Sequence, residues 1–171
     1  MLRTDSMEEL VREAGDGPIS RVVLGDQAER DGVGQDQLIA KMREALEVMR
    51  ESAAAGLSPD VKSMSGMTGG QAAMLFGRVA SGASAAGPLV GEAMAVALGV
   101  AELNAAMGRI VAAPTAGACG ILPGILLTYG KARGASDDEL IAALFTAAGV
   151  GGVIAAKASI SGAQAGCQAE C

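Results

Sequence analysis

The small size of its side chains is what most constrains how this chain can fold. The 171 residues include 25 glycines and no tryptophan, and aromatic residues make up 2% of a chain that is 50% hydrophobic. Small side chains let helices approach closely, whereas strands depend on β-branched and aromatic residues, and the latter are nearly absent here. The sequence therefore predicts an all-α fold: a compact helical domain with close packing through glycine and alanine and with glycine-rich functional loops.

The distribution of charges divides the sequence near residue 55. Residues 1–55 are predicted to form charged N-terminal helices, which are divided into three by Asp16-Gly17-Pro18 and by Asp31-Gly32-Val33-Gly34. Charges become sparse in residues 56–171, where we expect helices near Gln71 to Val79, Pro88 to Met107, Cys119 to Ala132 and Asp137 to Ala156. We expect one helical catalytic domain over residues 1–171, incomplete at its C-terminal end because the chain stops directly after a motif.

Charge also limits the partners of the chain. The formal net charge is −6 and the 13 Lys and Arg residues are scattered, which argues against a nucleic-acid partner. Acidic residues precede any apolar run at the N-terminus, so we expect no signal peptide and a cytoplasmic protein. The uncharged stretch from Ile110 to Tyr129 is interrupted by Pro and Gly. It predicts a buried loop and helix rather than a membrane span, and no membrane partner.

The first loop that could carry chemistry is 62–70, with sequence Lys-Ser-Met-Ser-Gly-Met-Thr-Gly-Gly, directly before a predicted helix. Backbone N–H groups at a helix N-terminus, with hydroxyl groups alongside, bind carboxylate or phosphate well. An anion site is one interpretation. The alternative is that Thr68 caps the helix and the glycines form a turn.

The chain has three cysteines and no histidine. Cys119 stands where a loop is predicted to turn into a helix, and a helix N-terminus favours the thiolate that binds metal; a small buried apolar role is the alternative. Cys167 and Cys171 would share one face of a helix. Thiolates without histidine favour an iron–sulfur cluster over zinc. Three ligands instead of four would leave one iron open as a Lewis acid, although a missing fourth cysteine would give the same count.

Three motifs follow one another in the order seen in a known family. They are Ser-Gly-Met-Thr-Gly-Gly at 65–70, Ala-Pro-Thr-Ala-Gly-Ala-Cys-Gly at 113–120 and Gly-Ala-Gln-Ala-Gly-Cys-Gln-Ala-Glu at 162–170. From about residue 58 onward the chain resembles the alpha subunit of two-subunit iron–sulfur L-serine dehydratases. One departure is Gln164, where relatives are expected to have Glu, which puts a hydrogen-bonding or proton-transfer partner in doubt.

The resemblance implies an all-helical catalytic subunit that converts L-serine to pyruvate and ammonia with an oxygen-labile [4Fe-4S] cluster, paired with a beta subunit in an oligomer. It places Cys119 and Cys167 on cluster-binding motifs, and it leaves the third ligand as either Cys171 or a cysteine beyond the chain end. The loop that it implies for the substrate carboxylate contains Ser65, Gly66, Thr68 and Gly69.

The base that removes the α-proton is not visible in the sequence. Lys62, Lys157 and Glu170 could serve if their pKa values are shifted, or the base could come from the beta subunit. Two other classes of function stay open. A pyridoxal-phosphate lyase would use Lys62 or Lys157 as its Schiff-base lysine, and a non-enzymatic helical module would use its small residues for packing alone.

Overall fold

The structure, a computed structural model, describes residues 6–158. These residues form seven α-helices and no β-strand. The helices are α1 (Met7–Ala14), α2 (Ile19–Asp31), α3 (Gln35–Gly56), α4 (Gln71–Ala80), α5 (Gly87–Ala105), α6 (Ile121–Arg133) and α7 (Asp137–Lys157). The predicted all-α fold is confirmed, and so are the three N-terminal pieces and the four later helices, which lie close to their predicted positions.

Local signals in the sequence explain several helix ends. Ser6 accepts a hydrogen bond from the Glu9 N–H at the start of α1. Ser136 and Glu139 form a reciprocal capping box at the start of α7, as Ser136 and the acidic residues after it predicted. Helix α2 ends at Gly32 in the left-handed conformation, with φ of 63°, a backbone region that glycine enters without a steric penalty.

The described chain divides into two packed units. Unit 1 contains the residues up to Leu46 together with those from Ser136 onward, and unit 2 contains Glu47–Ala135. Helix α3 contributes to both units. The boundaries between the units, after Leu46 and after Ala135, therefore differ from the change in charge near residue 55. The single catalytic domain over residues 1–171 stays a prediction.

Unit 1 packs α1 and α2 against α7. Leu10 and Val23 are almost completely buried at its centre. Gly149 on α7 faces them, and a Cβ atom there would lie 2.5 Å from Val23 Cγ2. At the surface the Arg43 guanidinium contacts Asp138 at 2.7 Å. Ordinary apolar burial with peripheral ion pairs holds this unit together.

Unit 2 contains α4, α5, α6 and the end of α3, and several of its helices contact each other's backbone directly at glycine residues. A Cβ atom on Gly56 would collide with the carbonyl of Gly99. One on Gly120 would collide with the carbonyl of Ala97, and one on Gly124 would lie 2.8 Å from the carbonyl oxygen of Ala93. Helix backbones meet directly at these points, which confirms the close glycine and alanine packing that the composition predicts.

Two helices, α5 and α7, are long and apolar enough to cross a membrane by length and composition, with 33% of each such stretch buried. A core helix of a soluble protein passes the same test, so the finding is weak support for a span. The stretch from Ile110 to Tyr129 is half loop, because α6 begins at Ile121. That agrees with its interpretation as loop and helix, but the loop is not buried throughout, since Ala112, Pro114, Ala116 and Gly117 are exposed. The absence of a membrane partner stays a prediction.

Candidate functional site: two loops on the last turns of one helix

The loop of the first motif, residues 63–69, is closed by its own hydrogen bonds. The Ser63 N–H donates to the Thr68 carbonyl oxygen at 2.9 Å, and the Thr68 N–H donates to Ser63 Oγ at 3.2 Å. Ser63 Oγ and Ser65 Oγ lie 3.2 Å apart, and the Met67 N–H donates to Ser65 Oγ at 3.4 Å. These bonds gather two hydroxyl groups on one short, exposed loop.

Glycine is required at two points of this segment. Gly66 has a φ of 72°, in the left-handed region. Gly69 has a φ of 142°, and a Cβ atom there would collide with the carbonyl of Val61. Because L-residues with a side chain rarely adopt these conformations, the glycines fix the path of the chain into α4.

A buried carboxylate fixes the end of the loop and the start of α4. Glu102 on α5 is 5% exposed. One carboxylate oxygen accepts the N–H groups of Gly70 at 3.0 Å and Ala72 at 3.4 Å, and the other accepts the Gln71 N–H at 3.0 Å. Glu102 thus takes the place that a bound anion would take at this helix N-terminus.

This geometry changes the interpretation of the first motif. The first N–H groups of α4 are not open to a ligand, because Glu102 already accepts them. The alternative that Thr68 caps the helix is also wrong, since the N-cap residue is Gly70. Sequence reasoning missed Glu102. Its signal was an acidic residue directly after the apolar run 93–101 of α5, and a buried carboxylate there requires hydrogen-bond partners.

The same end of α5 holds the second functional loop, residues 107–120. The Asn104 side-chain amide donates to the Ala116 carbonyl oxygen at 3.1 Å. Cys119 Sγ lies 4.0 Å from the Val100 carbonyl oxygen. The Met64 N–H of the first loop also donates to the Ala105 carbonyl oxygen at 3.1 Å. Residues 100–105 therefore hold both loops, although the loops are about 50 residues apart in the sequence.

Cys119 is more deeply buried than its motif suggested. Its side chain is 1% exposed and packs in a cluster with Ala53, Val96 and Val100. Helix α6 begins at Ile121, after Cys119. Burial raises the pKa of the Cys119 thiol, since desolvation disfavours the thiolate. The expectation that a helix start would lower this pKa is therefore wrong.

Thiols are the ligands that an iron–sulfur cluster requires, and the described residues contain one cysteine of the predicted ligand set. Three cysteines without any histidine form a soft donor set. Within residues 6–158 no group of three His, Cys, Asp or Glu side chains could hold a metal ion, and Cys119 is the cysteine found there. The predicted ligands Cys167 and Cys171, together with Gln164 and Glu170, lie outside the described residues.

The lysines considered as bases are exposed and lie in different units. Lys62 adjoins the first loop in unit 2, and Lys157 ends α7 in unit 1. Ser65, Gly66 and Thr68 are exposed, and Gly69 is half-buried. Their binding role, like the ligand role of the cysteines, stays a prediction.

Comparisons with known proteins agree with these motifs. The family model described as serine dehydratase alpha chain matches residues 7–171. A probable L-serine dehydratase alpha chain of Bacillus subtilis is 40% identical over 152 residues, which are 89% of this chain and 50% of that protein. The L-serine dehydratase alpha chain of Peptoniphilus asaccharolyticus is 33% identical over 150 residues, 88% of this chain and 51% of that protein. L-serine dehydratase TdcG of Escherichia coli is 53% identical over 75 residues, 43% of this chain and 16% of that protein.

The fold and the site define an all-helical protein in which one helix end carries a hydroxyl-rich loop and a cysteine loop. The chain belongs to the family of serine dehydratase alpha chains, as its motifs predicted. It spans about half the length of the two alpha-chain relatives described above. No solved structure matches it.

Proposed function

We propose that this chain is the part of an L-serine dehydratase that binds the substrate carboxylate and supplies cysteine ligands to a [4Fe-4S] cluster. The observation that carries the proposal is the attachment of both motif loops to residues 100–105 of α5. A lyase needs its substrate-binding group and its electrophile close together, because orientation supplies much of the rate. The names of the relatives support serine as the substrate.

In this proposal the first loop receives the carboxylate of L-serine through Ser65, Gly66, Thr68 and Gly69. Glu102 already accepts the N–H groups at the start of α4. The carboxylate is therefore bound by the hydroxyl groups and backbone of the loop itself. Ser65 Oγ and Ser63 Oγ can turn their hydrogens toward a bound anion, since hydroxyl rotors adapt to their acceptors.

Cys119, Cys167 and Cys171 are the proposed cluster ligands. When bound, the cluster would supply an open iron, a Lewis acid for the departing serine hydroxyl. Cys119 would bind as the thiolate and release its proton, as thiol ligands of metals do. The apolar neighbours of Cys119 keep water away from its sulfur.

The overall reaction removes the α-proton and the hydroxyl of L-serine as water to give aminoacrylate. Its imine tautomer then takes up water and releases ammonia, leaving pyruvate. Lys62, Lys157 and Glu170 are the proposed candidates for the base in this chain, and a beta subunit is the other proposed source. We also propose an oligomeric, cytoplasmic enzyme with L-serine and the beta subunit as partners, without nucleic acid or membrane.

An anaerobic assay of pyruvate formation tests this function. The chain, loaded with iron and sulfide and combined with its beta subunit, should form pyruvate from L-serine and resist borohydride, which inactivates Schiff-base enzymes. Ser65→Ala and Thr68→Val should each raise KM about tenfold with little change in kcat, since each removes a hydroxyl that binds the carboxylate. Ser81→Ala is the matched control, because its hydroxyl bonds the Arg78 carbonyl away from the loop. An unchanged KM in both loop variants contradicts the proposed binding role.

A further inference from the structure

Glu102 is a buried charged group that the proposed reaction does not use. It lies on an apolar stretch of α5 beside Val100, which is fully buried. A carboxylate out of contact with water is costly unless donors satisfy its oxygens. Both of its oxygens are satisfied by backbone N–H groups at the end of the first loop and the start of α4.

We infer that Glu102 is a positioning residue for the substrate-binding loop, residues 63–69. It accepts the N–H groups of Gly70, Gln71 and Ala72 and so fixes the point where the loop ends. The inference rests on the proposed function, because it assigns Glu102 a role in the affinity of that loop for L-serine.

The other end of the loop is attached to the same turn of α5. The Met64 N–H donates to the Ala105 carbonyl oxygen at 3.1 Å. The loop is thus held at both ends, and the Ser65 hydroxyl group, 3.2 Å from Ser63 Oγ, lies between the two attachments. A loop fixed at both ends loses less conformational entropy when it binds a ligand. The Glu102 side chain therefore contributes to substrate affinity without touching the substrate.

The position of Glu102 also relates the two functional loops. Asn104, two residues further along α5, donates to the Ala116 carbonyl oxygen of the cysteine loop. Because one helical turn is rigid, release of the first loop from Glu102 changes its position relative to Cys119. A residue that only capped α4 would leave the order of residues 63–69 unchanged. Hydrogen exchange in those residues therefore distinguishes the two roles.

Glu102→Gln is the test variant and Glu92→Gln is its matched control. Both residues lie on α5, but the Glu92 carboxylate bonds the Lys131 ammonium at the surface. Amide hydrogen exchange is measured residue by residue in the full 171-residue chain. Glu102→Gln should raise exchange about tenfold or more across residues 63–72, since the glutamine amide has one acceptor oxygen where the carboxylate has two. Exchange in α6 should stay unchanged, as should the whole pattern of Glu92→Gln.

The second readout is the dissociation constant for L-serine, measured by calorimetry after anaerobic reconstitution. It should rise about tenfold in Glu102→Gln, the cost of ordering roughly one more residue of the loop on binding, and stay unchanged in Glu92→Gln. Glu102→Asp keeps the charge on a shorter side chain. If Glu102→Gln does not fold, Glu102→Asp should show the same local increase in exchange and a weaker affinity for L-serine.

The outcomes separate the inference from the function on which it rests. Exchange that rises equally throughout residues 47–135 would overturn the inference and show that Glu102 stabilises unit 2 as a whole. An unchanged exchange rate in residues 63–69, or unchanged serine affinity despite a loosened loop, would also overturn it. Absence of L-serine binding by the unmodified chain would contradict the proposed function. The exchange pattern would still decide whether Glu102 fixes the loop.

Discussion

The two packed units start their helices in different ways. In unit 1, α1 and α7 follow Ser6 and Ser136, whose hydroxyl groups cap the N–H groups three residues later, while α2 follows Pro18 without a side-chain cap. In unit 2, none of the N-cap residues of α4, α5 and α6 makes a side-chain cap, and α4 is capped by Glu102 from another helix. Two helices of unit 1 thus begin at local signals. In unit 2 the cap of α4 comes from a residue about 30 positions away, and this unit contains both motif loops.

The cores differ in a corresponding way. Unit 1 buries large side chains such as Leu10 and Val23. Unit 2 brings backbones together at Gly56 and Gly99, where no side chain fits. Unit 1 should therefore be most sensitive to removing volume, and unit 2 to adding it.

Removal of volume from unit 1 should give the largest effect. Leu10 is 0% exposed, and Leu10→Ala should lower the free energy of unfolding by about 3 to 5 kcal/mol, because a cavity remains beside Val23. Urea unfolding followed by circular dichroism measures this. The exposed Val11 on the same helix supplies the control, since Val11→Ala should change stability by less than about 0.5 kcal/mol. Equal losses in the two variants would mean that Leu10 is not in the core.

Addition of one methyl group to unit 2 should give the next largest effect. Gly56→Ala places a Cβ atom against the Gly99 backbone and should cost about 2 to 3 kcal/mol of unfolding free energy. Gly25→Ala, in the middle of α2 with nothing within 4 Å, should instead stabilise by about 0.5 to 1 kcal/mol. Thermal unfolding of the two variants compares them directly. A neutral Gly56→Ala would refute the close backbone contact.

Loss of the capping box of α7 should have a smaller effect. Ser136→Ala should cost about 1 kcal/mol at neutral pH, measured as the shift of the urea midpoint. The hydrogen bonds from the Ser136 N–H and hydroxyl lower the pKa of the Glu139 carboxyl. Its contribution to stability is therefore present above the ordinary glutamate pKa of 4.5 and is lost as the pH falls through the lowered folded-state value. The difference between variant and parent should shrink in acid; a difference that grows there would contradict the assignment.

The ion pair at the edge of unit 1 should matter least. Arg43 and Asp138 are both exposed although 2.7 Å apart, so Arg43→Ala should cost less than about 1 kcal/mol. High salt should remove most of that difference. A loss that persists in high salt would show that Arg43 acts through packing instead.

Periodicity, breaker residues and caps were sufficient to predict the helices, because those signals lie within a few residues of the ends they determine. Ser136 before α7 and Gly32 after α2 are examples. The three motifs also identified the family. The site was harder to predict where its contacts join distant residues. Glu102 meets Gly70 across 32 positions. For Cys119 the sequence left two alternatives, a ligand at a helix start and a small buried residue, and the side chain is 1% exposed. A pattern of neighbouring residues does not indicate which distant residue will be the partner.

The proposed role of Cys119 is tested most directly by counting iron and acid-labile sulfide in the anaerobically reconstituted chain. The unmodified chain should hold about four irons and four sulfides, with a brown absorption that air bleaches, and Cys119→Ala should hold none. Cys119→Ala must keep its helical circular dichroism for the comparison to be valid. Equal iron content in the two proteins, or none in the unmodified chain, would contradict the assignment of Cys119 as a cluster ligand.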